Sequence, residues 1–140
     1  KSDQGKHAQT TFDLVYEEDQ YILGLAYPKT GRQHQIRSHA AHHGFSLIGD
    51  KLYNGDPLMF GRFKDGIATE ADHDKMQISR HALHATALYL PYPKGKNSLI
   101  RAQIPNDFKE WIKQNLPKAD IKKIEAQIDQ KIQDFFKIIE

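Results

Sequence analysis

The chain has 140 residues, 39% of them hydrophobic and 27% charged, with 20 basic against 18 acidic side chains and no cysteine. That length suits one globular domain with a real core, and the missing thiols exclude a disulfide framework, a thiolate metal site and a cysteine nucleophile. A formal charge of +2 is less than a generally cationic nucleic-acid binder carries, so any RNA contact must come from where the charges sit.

No apolar run approaches the ~18 residues of a membrane-spanning helix, and Lys1–Lys6 lacks the apolar segment of a signal peptide. These features predict a cytoplasmic protein without membrane partners. The chain opens at Lys1, without an initiator Met, on a polar stretch that runs straight into a strand pattern. A chain cut from something longer begins this way, and so does a processed one.

Residues 9–16 are rich in β-branched and aromatic side chains and read as a strand, residues 17–20 as a polar turn, and residues 21–27 as a second strand that pairs with the first as a hairpin. Pro28-Lys29-Thr30-Gly31 stops it. A helix is predicted from about residue 32 or 33 to His43, with Thr30 and Gln33 at capping-box spacing and Gly44 as the C-terminal cap. Residues 45–79, with five glycines and prolines and scattered charges, read as mostly irregular, and Asp65–Gln77 as a surface loop. Alternation returns over residues 82–92, followed by a turn at 93–97, a partner strand at 98–104 and a short helix from Asp107. The tail is the clearest helix. Ile121, Ile124, Ile128, Ile132, Phe135 and Ile139 form one stripe, suited to packing on the domain's own core or to a helix–helix contact with a second copy.

The densest segment is Gly31-Arg32-Gln33-His34-Gln35-Ile36-Arg37-Ser38-His39. On a helix, Ile36, Ala40 and His43 fall on one side, toward the core, while His34, Arg37 and Ala41 share the neighbouring stripe. An arginine on a packed helix beside a small residue is aimed with little entropy loss, and its guanidinium suits a carboxylate or phosphate. Read from the residues alone, the segment is an exposed helix with an ion pair. His39 and His43 stand one turn apart, yet the helix sends His34 and His43 to different sides and no H-E-x-x-H pattern occurs, so the residues predict no metal site. Lys94, Lys96 and Arg101 form a basic hairpin tip that suits RNA phosphates or a solvated turn. Tyr53 and Tyr92 are placed to stack on bases or simply to pack. Arg80, His81 and His84 read as solvation of a strand edge.

The same string is similar to a known family. Gly31-Arg32-Gln33-His34-Gln35-Ile36-Arg37, then His39, Gly44, Leu47-Ile48-Gly49-Asp50, Leu52-Tyr53 and Gly55, resembles the G-R-x-H-Q-I-R … G-D-x-x-Y-G block of RluA-type RNA pseudouridine synthases. Gly5-Lys6-x-Ala8-Gln9-Thr10 upstream resembles the family's G-K-x-A-x-T segment, and Arg80-His81-Ala82-Leu83-His84-Ala85 its R-Q-A-L-H-A strand. Pro105-x-Asp107-Phe108 is in keeping with its ending, so the likeness covers roughly residues 5–110.

The resemblance implies an α/β fold of the α+β type, a mixed and mostly antiparallel sheet with flanking helices, of which residues 1–116 are the C-terminal part and residues 117–140 an added amphipathic helix. It implies an isomerase that turns uridine into pseudouridine in ribosomal or transfer RNA with no metal or organic cofactor. The family's nucleophile is an Asp in an H-R-L-D-x-x-T/S-G motif, followed by a Tyr that stacks on the base. Arg37 matches the arginine that pairs with that Asp, Leu83 the apolar wall of the uracil pocket, and Arg32 and His34 the substrate-binding rim. With Leu83 toward the pocket, His84 turns to the other face and becomes a buried structural residue.

The departures matter as much. No H-R-L-D occurs in the chain, Asp50 and Asp13 lack the motif's neighbours, and Ser46 stands where the family usually has Pro. The chain is therefore expected to be inactive alone. A non-catalytic RNA-binding or assembly module that kept the fold is the alternative. Self-association through the tail helix or an open sheet edge is a further expectation.

Overall fold

The alternating β-branched and aromatic residues of the N-terminal region form strands β1, Thr10–Glu18, and β2, Tyr21–Pro28, paired as an antiparallel hairpin in the computed structural model, which describes residues 5–91 and 97–139. Asp19 turns the hairpin at a φ of 52°, a left-handed conformation that Asp tolerates better than most residues. The later elements are helices α1 (Gln35–His42), α2 (Met59–Lys64) and α3 (Glu70–Met76), strands β3 (Ala87–Pro91) and β4 (Asn97–Arg101), and helices α4 (Asn106–Asn115) and α5 (Ile121–Ile139). The mixed α/β class expected from the sequence is what forms, its described strands falling into two two-stranded antiparallel sheets.

The chain divides into two compact units. One runs to Asp13 and resumes over Gly24–Ala82; the other joins Leu14–Leu23 to Leu83 and beyond.

In the first unit Leu25, Ala40, Met59 and Met76 are buried. Helix α1 is shorter than expected, and the Thr30–Gln33 capping box does not form. His34 is the N-cap instead, at a φ of 54° and without a side-chain cap. Thr30 bonds Gln35 rather than the helix backbone. At the other end Gly44 does close the helix. Its N–H reaches the Ala41 carbonyl and the N–H of Phe45 reaches that of Ala40, the two bonds of a Schellman motif, with Gly44 at a φ of 86°. His43 therefore lies past the last turn and is exposed, not on the core side.

The stretch 45–79 is more regular than its glycines suggest. Thr69 and Asp72 make a reciprocal capping box that starts α3. The Arg62 guanidinium on α2 donates to both oxygens of Asp72 and to Asp56 at 2.5–2.7 Å, tying the two short helices together. Met59 and Met76, 1% and 4% exposed, pin them to the core.

In the second unit β3 and β4 pair from Ala87↔Arg101 to Pro91↔Asn97. Both are shorter than the expected strands 82–92 and 98–104, since residues 82–86 are irregular. Tyr92, Lys94 and Lys96, with most of the expected turn, lie outside the described residues. Pro105 caps α4, where its missing N–H has no cost. Along α5, Ile124, Ile128 and Ile132 are 2–4% exposed, so the middle of the stripe is covered within this chain. Arg101 donates to Glu125 and Asp129 at 2.7 Å, and Glu125 also accepts the N–H of Ile104. No helix among the described residues is long and apolar enough to cross a membrane.

Candidate active site

Helix α1 presents Arg37 to the turn that follows it. Nε and Nη2 donate to the two carboxylate oxygens of Asp50, each at 2.7 Å, a bidentate pair. Arg37's side chain is 14% exposed and Asp50's is fully buried. Asp50 Oδ1 also accepts the N–H groups of Leu52 and Tyr53 at 3.0 Å. Burial alone pushes this carboxyl up, but the Arg37 hydrogen bonds, the two backbone N–H groups and the guanidinium charge outweigh it and hold it down at about 2. Hydrogen bonding to Asp50 correspondingly raises the guanidinium, against the effect of burial.

Gly49 sets this carboxylate in place. It has a φ of 76°, and a Cβ there would lie 2.1 Å from the Arg80 carbonyl oxygen. Only glycine allows the chain to pass so close. The N–H of Ala82 bonds the Ile48 carbonyl at 2.7 Å, which docks residues 48–50 on the segment ending at Ala82.

Two aromatic groups complete the network. The Tyr53 ring lies 5.3 Å from the Arg37 guanidinium carbon, within cation–π range. Its hydroxyl is 3.3 Å from His34 Nδ1, the two rings meeting edge to face. His34, expected on the substrate-binding rim, thus sits beside Arg37 on a strained left-handed residue, the kind of outlier that gathers at functional sites. His81 joins them. Burial and then the Arg37 charge push its pKa down, with Asp50 opposing. Sequence reading gave His81 only an edge-solvation role, and nothing in the local pattern marks it.

Arg32 makes other contacts. It is exposed, its Nε 3.4 Å from the His7 carbonyl. Leu83 is half-buried in the irregular segment before β3 and belongs to the second unit. His84, in the same segment, is partly exposed, its buried Nε2 without a hydrogen-bond partner among the described residues.

Sequence reasoning also missed Gln35, which is polar and 5% exposed. Its amide oxygen accepts from the Thr30 hydroxyl and the Arg32 N–H, and its nitrogen donates to the Gln9 carbonyl and the Thr10 hydroxyl. Every position of that amide is used. The base of the hairpin is thereby fastened to the start of α1, which aims Arg37. No three His, Asp or Glu side chains among the described residues gather as metal ligands.

Chemically, the pair holds a guanidinium rigidly while leaving part of it open to solvent. Asp50 itself makes a poor nucleophile, since it has no exposed surface and accepts four hydrogen bonds.

No protein-family model and no solved structure matches the chain. Curated relatives do. Ribosomal large subunit pseudouridine synthase D of Yersinia pestis is 38% identical over 126 residues, covering 89% of this chain and 37% of the relative. Synthase C of Buchnera aphidicola subsp. Acyrthosiphon pisum is 32% identical over 110 residues, 77% of this chain and 32% of the relative. Synthase D of Escherichia coli is 36% identical over 102 residues, 72% and 29%. The chain spans about a third of the length of these relatives. Along that third, it belongs to the RluA family of pseudouridine synthases.

Proposed function

We propose that this chain is the C-terminal part of an enzyme that isomerises uridine to pseudouridine in large-subunit ribosomal RNA, in the cytoplasm. Arg37 is the ion-pair partner of a nucleophilic aspartate contributed from outside these 140 residues, and the chain alone is inactive. The observation that carries this reading is the Arg37–Asp50 pair. Asp50 takes Nε and Nη2, leaving Nη1 for a second carboxylate, and is itself too enclosed to attack a base. His34 and Arg32 line the substrate side. Ribosomal rather than transfer RNA is the substrate because the relatives' names specify the ribosomal large subunit. Self-association through α5 is not part of the proposal, since Ile124, Ile128 and Ile132 are already covered in this chain.

The reaction moves the glycosidic bond from nitrogen to carbon and releases the hydrogen at uracil C5. Tritium release from large-subunit rRNA labelled at C5 of uridine therefore tests the assignment. The 140-residue chain is expected to release none. The reading frame extended upstream to include an aspartate motif is expected to release tritium, and its folded Arg37→Ala variant none. Release by the short chain, or undiminished release by the folded variant, overturns it.

A further inference from the structure

Beside the Gln35 network lies an open cavity of about 520 Å³, lined among others by Lys6, Arg32, Gln33, Ser38 and His39. Among the described residues, its lining holds an ammonium, a guanidinium and an imidazole and no carboxylate. That is a sharp local imbalance in a chain with 20 basic and 18 acidic side chains.

The donors are placed rather than loose. The Arg32 backbone N–H is held by the Gln35 amide oxygen at 3.1 Å and its Nε by the His7 carbonyl, which leaves its two terminal nitrogens as a fork. His39 is oriented by Nδ1 against the Thr10 hydroxyl at 3.0 Å, so its Nε2 remains for a ligand. Thr10 is fixed in turn by the buried Gln35 amide. Ser38 gives its hydroxyl hydrogen to the Gln35 carbonyl and keeps an oxygen that accepts.

We infer that this cavity binds the sugar–phosphate backbone of an RNA strand. It does so through phosphate contacts from Lys6, Arg32 and His39, without reading bases. Basic side chains gathered along one concave wall match a phosphodiester. The cavity is larger than a bare ion needs, and Lys6, Arg32 and Gln33 are exposed along its rim, which suits a strand passing over it. Gln33, which both donates and accepts, and the Ser38 oxygen complement a ribose hydroxyl. The inference rests on the RNA substrate of the proposed function and adds where the backbone is gripped.

The test is fluorescence anisotropy of the chain with labelled single-stranded oligoribonucleotides of several sequences, across about 50 to 200 mM salt. Lys6→Gln/Arg32→Gln alters two exposed side chains, and an unchanged thermal melt checks the fold. Its log–log salt slope is expected to fall by about 1.4, roughly 0.7 per lost phosphate contact, equally for every sequence. Lys122→Gln/Lys123→Gln removes the same charge from the exposed side of α5 and is expected to keep the slope. Wild-type binding with an unaltered slope in the cavity variant overturns the cavity and leaves the RNA substrate standing. Equal losses in both variants overturn it in favour of general attraction. An effect confined to one sequence overturns the backbone reading, and displacement by low-millimolar inorganic phosphate at constant ionic strength makes it a site for the free ion. A wild-type chain that binds no oligonucleotide overturns the cavity together with RNA recognition by this chain.

Discussion

Replacing Asp50 by Asn keeps the shape of the carboxyl, removes its charge and makes one of its accepting oxygens a donor, so it stands in for the protonated acid. Asp50 ionises at about 2 in the folded chain against 3.8 for a free aspartate. At ~1.36 kcal/mol per pKa unit, the ionised carboxylate contributes about 2 kcal/mol of stability that an uncharged isostere lacks. The sign comes from proton uptake. The unfolded chain protonates this group near 3.8 and the folded chain only near 2. The contribution is therefore complete well above the first value, shrinks as the pH falls between the two, and is gone below the second. Urea unfolding of wild type and Asp50→Asn should give a stability gap of about 2 kcal/mol at about pH 7, and roughly half of that at about pH 3. Other carboxylates are common to both proteins and cancel. A gap that does not change between the two pH values would refute this account of the ionised, hydrogen-bonded carboxylate, as would one under ~0.5 kcal/mol at neutral pH. Asp50→Ala, which strands a largely enclosed guanidinium, is expected to cost more, about 3 kcal/mol or above.

Gly49→Ala is expected to destabilise the chain far more than Gly44→Ala in thermal unfolding. Both have positive φ, but a Cβ at Gly44 meets open space while one at Gly49 meets the Arg80 carbonyl at 2.1 Å; Gly44→Ala should cost about 1 kcal/mol. Gln35→Leu leaves the Thr10 and Thr30 hydroxyls and the Gln9 carbonyl each short of a partner and should lower stability by about 2 kcal/mol or more, read by urea unfolding. For His81, burial and the Arg37 charge lower the folded pKa below the ordinary 6.5. Its contribution is therefore present above about pH 6.5 and lost as the pH falls through the folded value. His81→Asn should flatten the fall in melting temperature over that window, and an unchanged profile would remove His81 from the network.

The parts legible in the sequence are those governed by local periodicity. The α5 stripe repeats for five turns and the hairpin strands carry aromatic and β-branched residues, so both announce themselves. Helices α2 and α3 are six and seven residues long and too short for a period to show. Their stability comes from Arg62 reaching Asp56 and Asp72 across a turn, although Thr69-x-x-Asp72 was a visible capping signal. Within the site, Arg37 stands out by residue type and its match to a family motif. Its partner does not, because Asp50 is 13 residues away and meets it only through the turns at Gly44 and Gly49. Gln35 was hidden for a different reason. A glutamine on a helix reads as surface, and only the positions of Gln9, Thr10 and Thr30 make it a core residue.

The Gln35 amide bears on how the site comes into being. An isolated helix of eight residues does not persist in water, and α1 has no side-chain N-cap to help it. Its first turn is secured by residues 25 and 26 positions earlier in the chain, at the foot of the hairpin. Strand closure and helix formation are thus one event in the folding of this unit, and Arg37 acquires a direction only when that event is complete. A chain in which the hairpin has frayed displays an arginine, but not a receptor for a carboxylate. The capacity to seat an acidic group is therefore switched on by folding itself, all at once, rather than accumulated residue by residue.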